Sequence, residues 1–314
     1  MRIFLAGATG ALGSRLAPML VAAGHQVTGT TRTPAKAEAL HAAGVEPVVV
    51  DGLDRDAIVA AVVAARPDAI VHQLTGLANI GNLRDFDGEF ELTNRLRTEG
   101  TDNLLAGARA AGTRRFVAQS YAGWPYGRSG APVKTEEDPL DSEPVPSMSR
   151  TLAAIRRLED TVTGARDIEG IVLRYGAFYG PGTGMSRGGD QLELVRKRRF
   201  PIIGDGGGVW SFVHIDDAAA ATVAALERGE PGIYNVVDDE PAPVRDWLPV
   251  LAAAAGAKPP RRLPRWLARL AAGEALTTMA TEIRGASNAK AKRELGWRPA
   301  HASWRAGFAE AMAG

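Results

Sequence analysis

Three glycines open the chain at a fixed spacing, in the run Gly7-Ala8-Thr9-Gly10-Ala11-Leu12-Gly13. Glycine lets a diphosphate approach the backbone. A helix starting there turns free N–H groups and its positive dipole end toward the phosphates. Gly7, Thr9, Gly10, Ala11, Leu12 and Gly13 are therefore the expected cradle of a dinucleotide. The residues about 20 positions on decide which one, because a carboxylate there holds the ribose 2′-hydroxyl of NAD. This chain has Thr30-Thr31-Arg32 and no acid. A guanidinium with hydroxyl donors suits a 2′-phosphate. Thr31 and Arg32, with Arg15 reaching from the first helix, thus point to NADP, with NAD as the alternative. Asp51 and Gly52 close the third strand, and Asp51 is placed to meet the adenine amino group or simply to lead a helix.

For that cradle to form, a strand must end at Gly7 and a helix must begin behind it. Residues 2–6 read as a short apolar strand, and Leu12, Leu16, Met19 and Leu20 recur at helical spacing over 11–23. The alternation continues with strand 26–31, helix 34–43, strand 45–50, helix 54–65 and strand 68–73. A long helix follows over 89–111, then strand 115–119. Strands separated by helices predict a parallel sheet covered on both faces. Val48-Val49-Val50 reads as a strand buried on both sides. Residues 123–147 carry five prolines and read as an irregular excursion, after which helix 149–163 and strand 169–174 return to the sheet. The pattern then becomes mixed, which predicts a smaller lobe whose pieces leave and rejoin the sheet. The alanine-rich stretches 218–225 and 251–255 read as closely packed helices. Two domains are expected, 1–174 for the dinucleotide and 175–314 mainly for the substrate.

Composition narrows the chemistry. Of 314 residues, 37 are Lys or Arg and 36 are Asp or Glu, a net charge of +1 that gives no surplus for nucleic acid or an anionic membrane. With no cysteine, disulfides, thiolate metal sites and cysteine nucleophiles are excluded. The five histidines lack metal-ligand spacing, so metal dependence is not expected. There is no apolar run of 18 residues, and the apolar N-terminal stretch is too short for a signal peptide. A soluble, cytoplasmic protein with a small-molecule substrate is the expectation.

Several segments then fall into a known order: the Gly7–Gly13 turn, Asp51-Gly52-Leu53, Asn94 in the long helix, Arg115–Ser120, Leu173–Gly182, Ser211–Asp217 and Gly296-Trp297-Arg298-Pro299. Together they resemble the extended short-chain dehydrogenase/reductase family, which includes nucleotide-sugar epimerases and dehydratases. The resemblance implies an α/β fold, a Rossmann-type doubly wound parallel sheet with a smaller C-terminal α/β substrate lobe. It implies cofactor contacts from Gln73, Asn94 and Tyr175, and a homodimer through the two long helices beside strands four and five.

The same family carries Tyr-x-x-x-Lys on a helix with Glu four residues after the Lys. The Tyr passes a proton, and the Lys lowers its pKa and holds the nicotinamide ribose. Glu159 matches, which puts Thr151 at the Tyr position and Ile155 at the Lys position, and no Tyr or Lys lies between 135 and 174. Ser120 and Tyr121 stand nearest the family's helper Ser or Thr, although an aromatic at a strand end also reads as packing. Arg156, next to the missing Lys, and Arg150, next to the missing Tyr, offer fixed cations or a plain surface. An Arg cannot titrate near neutral pH and would act only as a clamp. Tyr121, Ser120 and Arg156 are the catalytic candidates.

Two departures concern the substrate. Ala177 and Trp210 replace an Asn and an Arg that bind substrate phosphates in nucleotide-sugar members. Trp124, Tyr126, Tyr175, Tyr179 and Trp210 suit a flat or apolar molecule, or else belong to the core. Arg187 and the run Arg196-Lys197-Arg198-Arg199 read as an anion site or a solvated face, and His214 as structural. The leading expectation is an NADP-dependent oxidoreductase or epimerase-like enzyme acting on a small apolar or aromatic substrate with a non-standard acid/base. A non-redox isomerase, dehydratase or cyclase is one alternative, and a cofactor-sensing binding protein without catalysis is the other.

Overall fold

Ile3, Phe4, Leu5 and Ala6 are all buried, with no polar face between them, because helices cover both sides of the strand that holds them. The structure is a computed structural model and describes residues 1–77 and 83–313. Its central sheet has seven strands: β1 (Arg2–Ala6), β2 (Gln26–Thr31), β3 (Glu46–Val49), β4 (Ala69–His72), β5 (Arg115–Tyr121), β6 (Glu169–Tyr175) and β7 (Gly232–Val236). They run in the order β7-β6-β5-β4-β1-β2-β3, all parallel. The chain winds outward through β2 and β3, then returns past β1 to β4. That reversal leaves a crevice at the strand C-termini between β1 and β4, where Ala6 pairs with His72.

The covering helices are α1 (Gly13–Ala22), α2 (Ala37–Ala42), α3 (Arg55–Ala65), α4 (Thr101–Ala111), α5 (Ser149–Thr163) and α6 (Ile215–Arg228). On one face, Leu16 and Leu20 of α1 pack with Ala218, Ala221 and Ala225 of α6, where small residues let the helices approach. On the other, Ile58 and Val62 of α3 meet Leu104, Leu105 and Ala108 of α4 and Leu158 and Val162 of α5. Each such leucine or valine contributes about 1.5–3 kcal/mol by leaving water. Local signals set the ends. Asp54 caps α3 by accepting from Ala57 N at 3.1 Å, and Gly112 ends α4 in the left-handed region.

Three expectations need correction. β3 is an edge strand whose Val49 is 50% exposed, so the valine run is not buried on both sides. The helix expected over 89–111 is broken into Phe86–Glu89, Glu91–Arg95, a π-helical turn at Leu96–Gly100, and α4. β5 runs on to Tyr121, past the expected end at 119, which places Ser120 and Tyr121 on opposite sides of the strand.

The rest of the chain builds the second lobe from short pairs: Ala177–Tyr179 with Phe212–His214, Val209–Trp210 with Ala242–Pro243, and Ile202–Ile203 with Arg262–Leu263. Its core joins Trp210, Phe212 and Trp247 to Trp304 and Phe308 of the C-terminal helix, and reaches Leu152 and Ile155 of α5. Among the described residues, no helix is long and apolar enough to cross a membrane.

Candidate active site

The glycine turn is built for close approach. A Cβ on Gly7 would lie 2.8 Å from Gln73 O, and one on Gly13 would lie 2.1 Å from Gly7 O. Gly7 also has φ of +91°, which a side chain disfavours. Gly7 N is tied to Thr30 Oγ1 at 2.9 Å and Ala8 N to Thr30 O at 3.2 Å, so the turn is pinned to β2. Among the described residues, no acceptor takes the N–H groups of Ala11, Leu12 or Gly13 at the start of α1. A diphosphate fits this donor set, and Gly7 through Gly13 are the residues that would hold it.

At the end of β2, Thr9 Oγ1 donates to Thr31 Oγ1 at 3.3 Å, and Thr31 Oγ1 also accepts from Thr33 N at 3.2 Å. Arg32 follows, exposed and without an ion-pair partner among the described residues. Arg15 does not join it. Its Nε lies 3.6 Å from Asp216 and its Nη2 faces Pro181 O, so it bridges to the second lobe. Asp51 accepts from Leu53 N at 3.0 Å in a helix-leading turn, and Asn103 takes the Gly52 carbonyl at 3.1 Å.

Two other expected cofactor contacts are turned inward. The Tyr175 hydroxyl is buried, 2.7 Å from Thr222 Oγ1, and burial pushes it up to about 12. Gln73 Nε2 donates to it at 3.4 Å, while Gln73 Oε1 is buried with no partner. Tyr175 is therefore a core residue, contrary to expectation. Asn94 donates to Thr151 Oγ1 at 3.0 Å.

That threonine stands where the family resemblance calls for tyrosine, and it is sealed. Thr151 is fully buried, and its hydroxyl donates to Asp87 Oδ1 at 2.6 Å. Asp87 also takes Thr151 N at 2.8 Å and Arg150 N at 3.0 Å, capping α5 from a distant segment. Ile155, at the lysine position, is buried in the second lobe's apolar cluster. Ser120 is excluded as a catalytic group. Its Oγ donates to Glu159 at 2.7 Å on the covered face of β5. Glu159 binds Arg174 through both oxygens, at 2.8 and 2.5 Å, and Arg174 donates to Tyr126 at 2.9 Å. Arg156 is excluded as well. Its guanidinium donates to the carbonyls of Leu140 and Asp141, lashing the excursion to the outside of α5.

Tyr121 is placed differently from Ser120 and Arg156. Its ring packs at the edge of the second lobe's cluster and its hydroxyl has no partner among the described residues. Burial holds the phenol well above its ordinary range. It therefore stays protonated at neutral pH.

The flat aromatic pocket is not formed as expected. Tyr126 and Tyr179 are fully buried, Trp210 donates to Met279 O at 3.0 Å, and Trp124 meets Phe86 edge-on at 5.3 Å. Tyr121, with Phe90 stacked on Phe86, is the remaining accessible aromatic surface here. Of the basic run, Arg196 and Lys197 pair with Glu193, and Arg198 binds Pro259 O. His214 caps α6 through Asp216 N and stacks on His301 at 3.7 Å. Asp217 completes a cluster whose ligand atoms lie within 4.8 Å of one another. Both Asp217 oxygens are taken by Ala300 N, His301 N and His301 Nδ1, which clamps the C-terminal segment to α6.

Sequence reading missed three groups. Side chains reach two carbonyls of the π turn, those of Leu96 and Arg97. His72 Nε2 lies 3.3 Å from the first, and Thr101 Oγ1 takes the second at 2.6 Å. Burial lowers His72 to about 4, so it is neutral. Asp87 and Arg97 gave no local signal beyond their helical spacing from other candidates. Arg97 stands three residues after Asn94.

The model of the NAD dependent epimerase/dehydratase family matches residues 3–236. A 3-diazoavenalumate denitrifying reductase from Streptomyces sp is 46% identical over 310 residues, 98% of this chain and 99% of that protein. A 2-alkyl-3-oxoalkanoate reductase from Stenotrophomonas maltophilia is 30% identical, covering 82% of this chain and 76% of that one. Among solved structures, the UDP-glucose 4-epimerase of Thermus thermophilus in complex with NAD aligns with a TM-score of 0.75 at 25% identity, over 98% of this chain and 97% of that one. A turn made to receive a diphosphate and a helix stripped of its proton-passing pair thus meet in one molecule. The chain belongs to the NAD-dependent epimerase/dehydratase family, as an oxidoreductase-type enzyme with Thr151 and Ile155 where the family resemblance calls for tyrosine and lysine.

Proposed function

We propose that this enzyme is an NADPH-dependent reductase of an aromatic electrophile already activated for hydride attack, an aryldiazonium or diazo compound being the class to test. The observation that carries the reading is the closed floor of the site, where Thr151 is sealed on Asp87 and Ile155 is packed in apolar surroundings. Ketone reduction needs a proton delivered to a new alkoxide, and sugar epimerisation needs one taken from a hydroxyl. An acceptor that needs neither suits a site without the pair. The bound reduced nicotinamide supplies a hydride, and with an aryldiazonium ion the sum is ArN2⁺ plus H⁻ giving ArH plus N2, balanced in atoms and charge with no net proton exchanged. The name of the Streptomyces relative describes a denitrifying reduction and supports the same class.

The residues divide the work. The turn from Gly7 to Gly13 holds the diphosphate, and Thr31 and Arg32 favour a 2′-phosphate over a bare ribose. Tyr121 gives a flat aromatic face and a protonated hydroxyl for orienting the substrate. The test offers the enzyme NADPH with an aryldiazonium carboxylic acid and, separately, with aryl ketones. One dinitrogen and one arene should appear per NADPH oxidised, with ketones at least about a hundredfold slower, the usual worth of a positioned proton donor. NADPH oxidation without dinitrogen release, or ketones reduced equally fast, would overturn the reading.

A further inference from the structure

Arg97 is a buried cation with almost nothing to hold. It is 8% exposed, and its one hydrogen bond is a long one, 3.4 Å to Asn94 Oδ1. Glu159 is the nearby opposite charge, but both its oxygens are already bound by Arg174 and Ser120. A guanidinium has five donors in a rigid fork, and the Arg97 nitrogens that lack a protein acceptor are not closed off from solvent, so the fork is open to a ligand. Burial lowers Arg97 to about 10, which still leaves it charged at neutral pH.

Its position is specific. The π turn places Arg97 between the end of β4, through His72, and α5, through Glu159. Asn94 links it to Thr151 on the first turn of α5. His72 ends β4, the neighbour of the strand that leads into the glycine turn. Helix α5, which packs against the π turn, has Ile155 at the position where the family resemblance implies a lysine.

We infer that Arg97 supplies, from the helix next to α5, the cation that binds the hydroxyls of the nicotinamide ribose. The side chain thus completes its donor set only when the dinucleotide is bound. This rests on dinucleotide binding, not on the substrate class proposed above, so its test uses no substrate.

NADPH and 2′,5′-ADP are titrated into the wild type, Arg97→Met and Arg97→Lys, with NADH and ADP in parallel. The adenosine fragments carry the adenine-side phosphates but no nicotinamide ribose. Arg97→Met should weaken the whole dinucleotide about ten- to a hundredfold, the range for a hydrogen bond to a charged group. The fragments should bind unchanged, and Arg97→Lys should recover most of the loss. Undiminished dinucleotide affinity in Arg97→Met would overturn the inference. So would an equal loss for dinucleotide and fragment, which marks Arg97 as structural.

Discussion

Under the proposed NADPH preference, Arg32 is the residue to test first, since it leaves β2 exposed with no ion-pair partner among the described residues. Arg32→Ala should weaken NADPH about tenfold or more and leave NADH unchanged, read by nicotinamide fluorescence titration. Tyr121→Phe tests the other end of the site. If no proton is passed, aryldiazonium reduction in this variant stays within about fivefold of wild type, the loss of one neutral hydrogen bond. A far larger loss would make the phenol a proton donor. At this scale the sequence was legible where backbone geometry dictates the residue type, as at Gly7 and Gly13, whose side chains would strike neighbouring backbone. It was illegible where only the facing direction matters. Ser120 and Tyr121 are adjacent, yet one joins a buried ion pair and the other packs at the edge of the second lobe's cluster. Tyr126, Tyr175 and Tyr179 carry the same ring as Tyr121 but spend it on the core.

Helix α5 owes its start to Asp87, which lies in a different helix more than sixty residues earlier. Asp87→Ala should cost about 1–2 kcal/mol as a lost cap, visible in urea denaturation, and more if the Thr151 hydroxyl finds no other partner. The π turn depends on His72 in a comparable way. His72 is buried and neutral, with a folded value of about 4 against an ordinary 6.5. Between those values the unfolded chain binds the extra proton, so stability is full above the ordinary value and falls as pH drops through the window. About 3 kcal/mol should be lost from pH 6.5 to 4, and His72→Asn should flatten that slope in denaturation curves. The break at Leu96–Gly100 was invisible in advance because its apolar spacing is also that of an unbroken helix. What makes the break tolerable, a histidine from β4, is distant in sequence.

At the scale of the molecule, one buried chain of contacts ties the central sheet to α5 and to the excursion. Glu159 on α5 binds Arg174 on β6, Arg174 binds Tyr126 in the excursion, and Tyr126 donates to Asn235 on β7 at 2.7 Å. Glu159→Gln should leave Arg174 uncompensated and cost about 3–5 kcal/mol, lowering the thermal midpoint by several degrees. The sheet as a whole was legible because alternating strands and helices admit few topologies. The valines of β3 misled, since a β-branched run looks alike at an edge and at a centre. The second lobe resisted reading because its pairs are two or three residues long and its core is assembled from distant segments. Trp304 and Phe308 fill that core, and Gly307 packs directly on the Tyr179 ring. The lobe therefore cannot consolidate on the ribosome before those last aromatic residues emerge, and the sheet's own core waits nearly as long for Leu295 and Trp297, so the nascent chain stays open on both sides until its final segment arrives, the interval in which chaperones would be needed most.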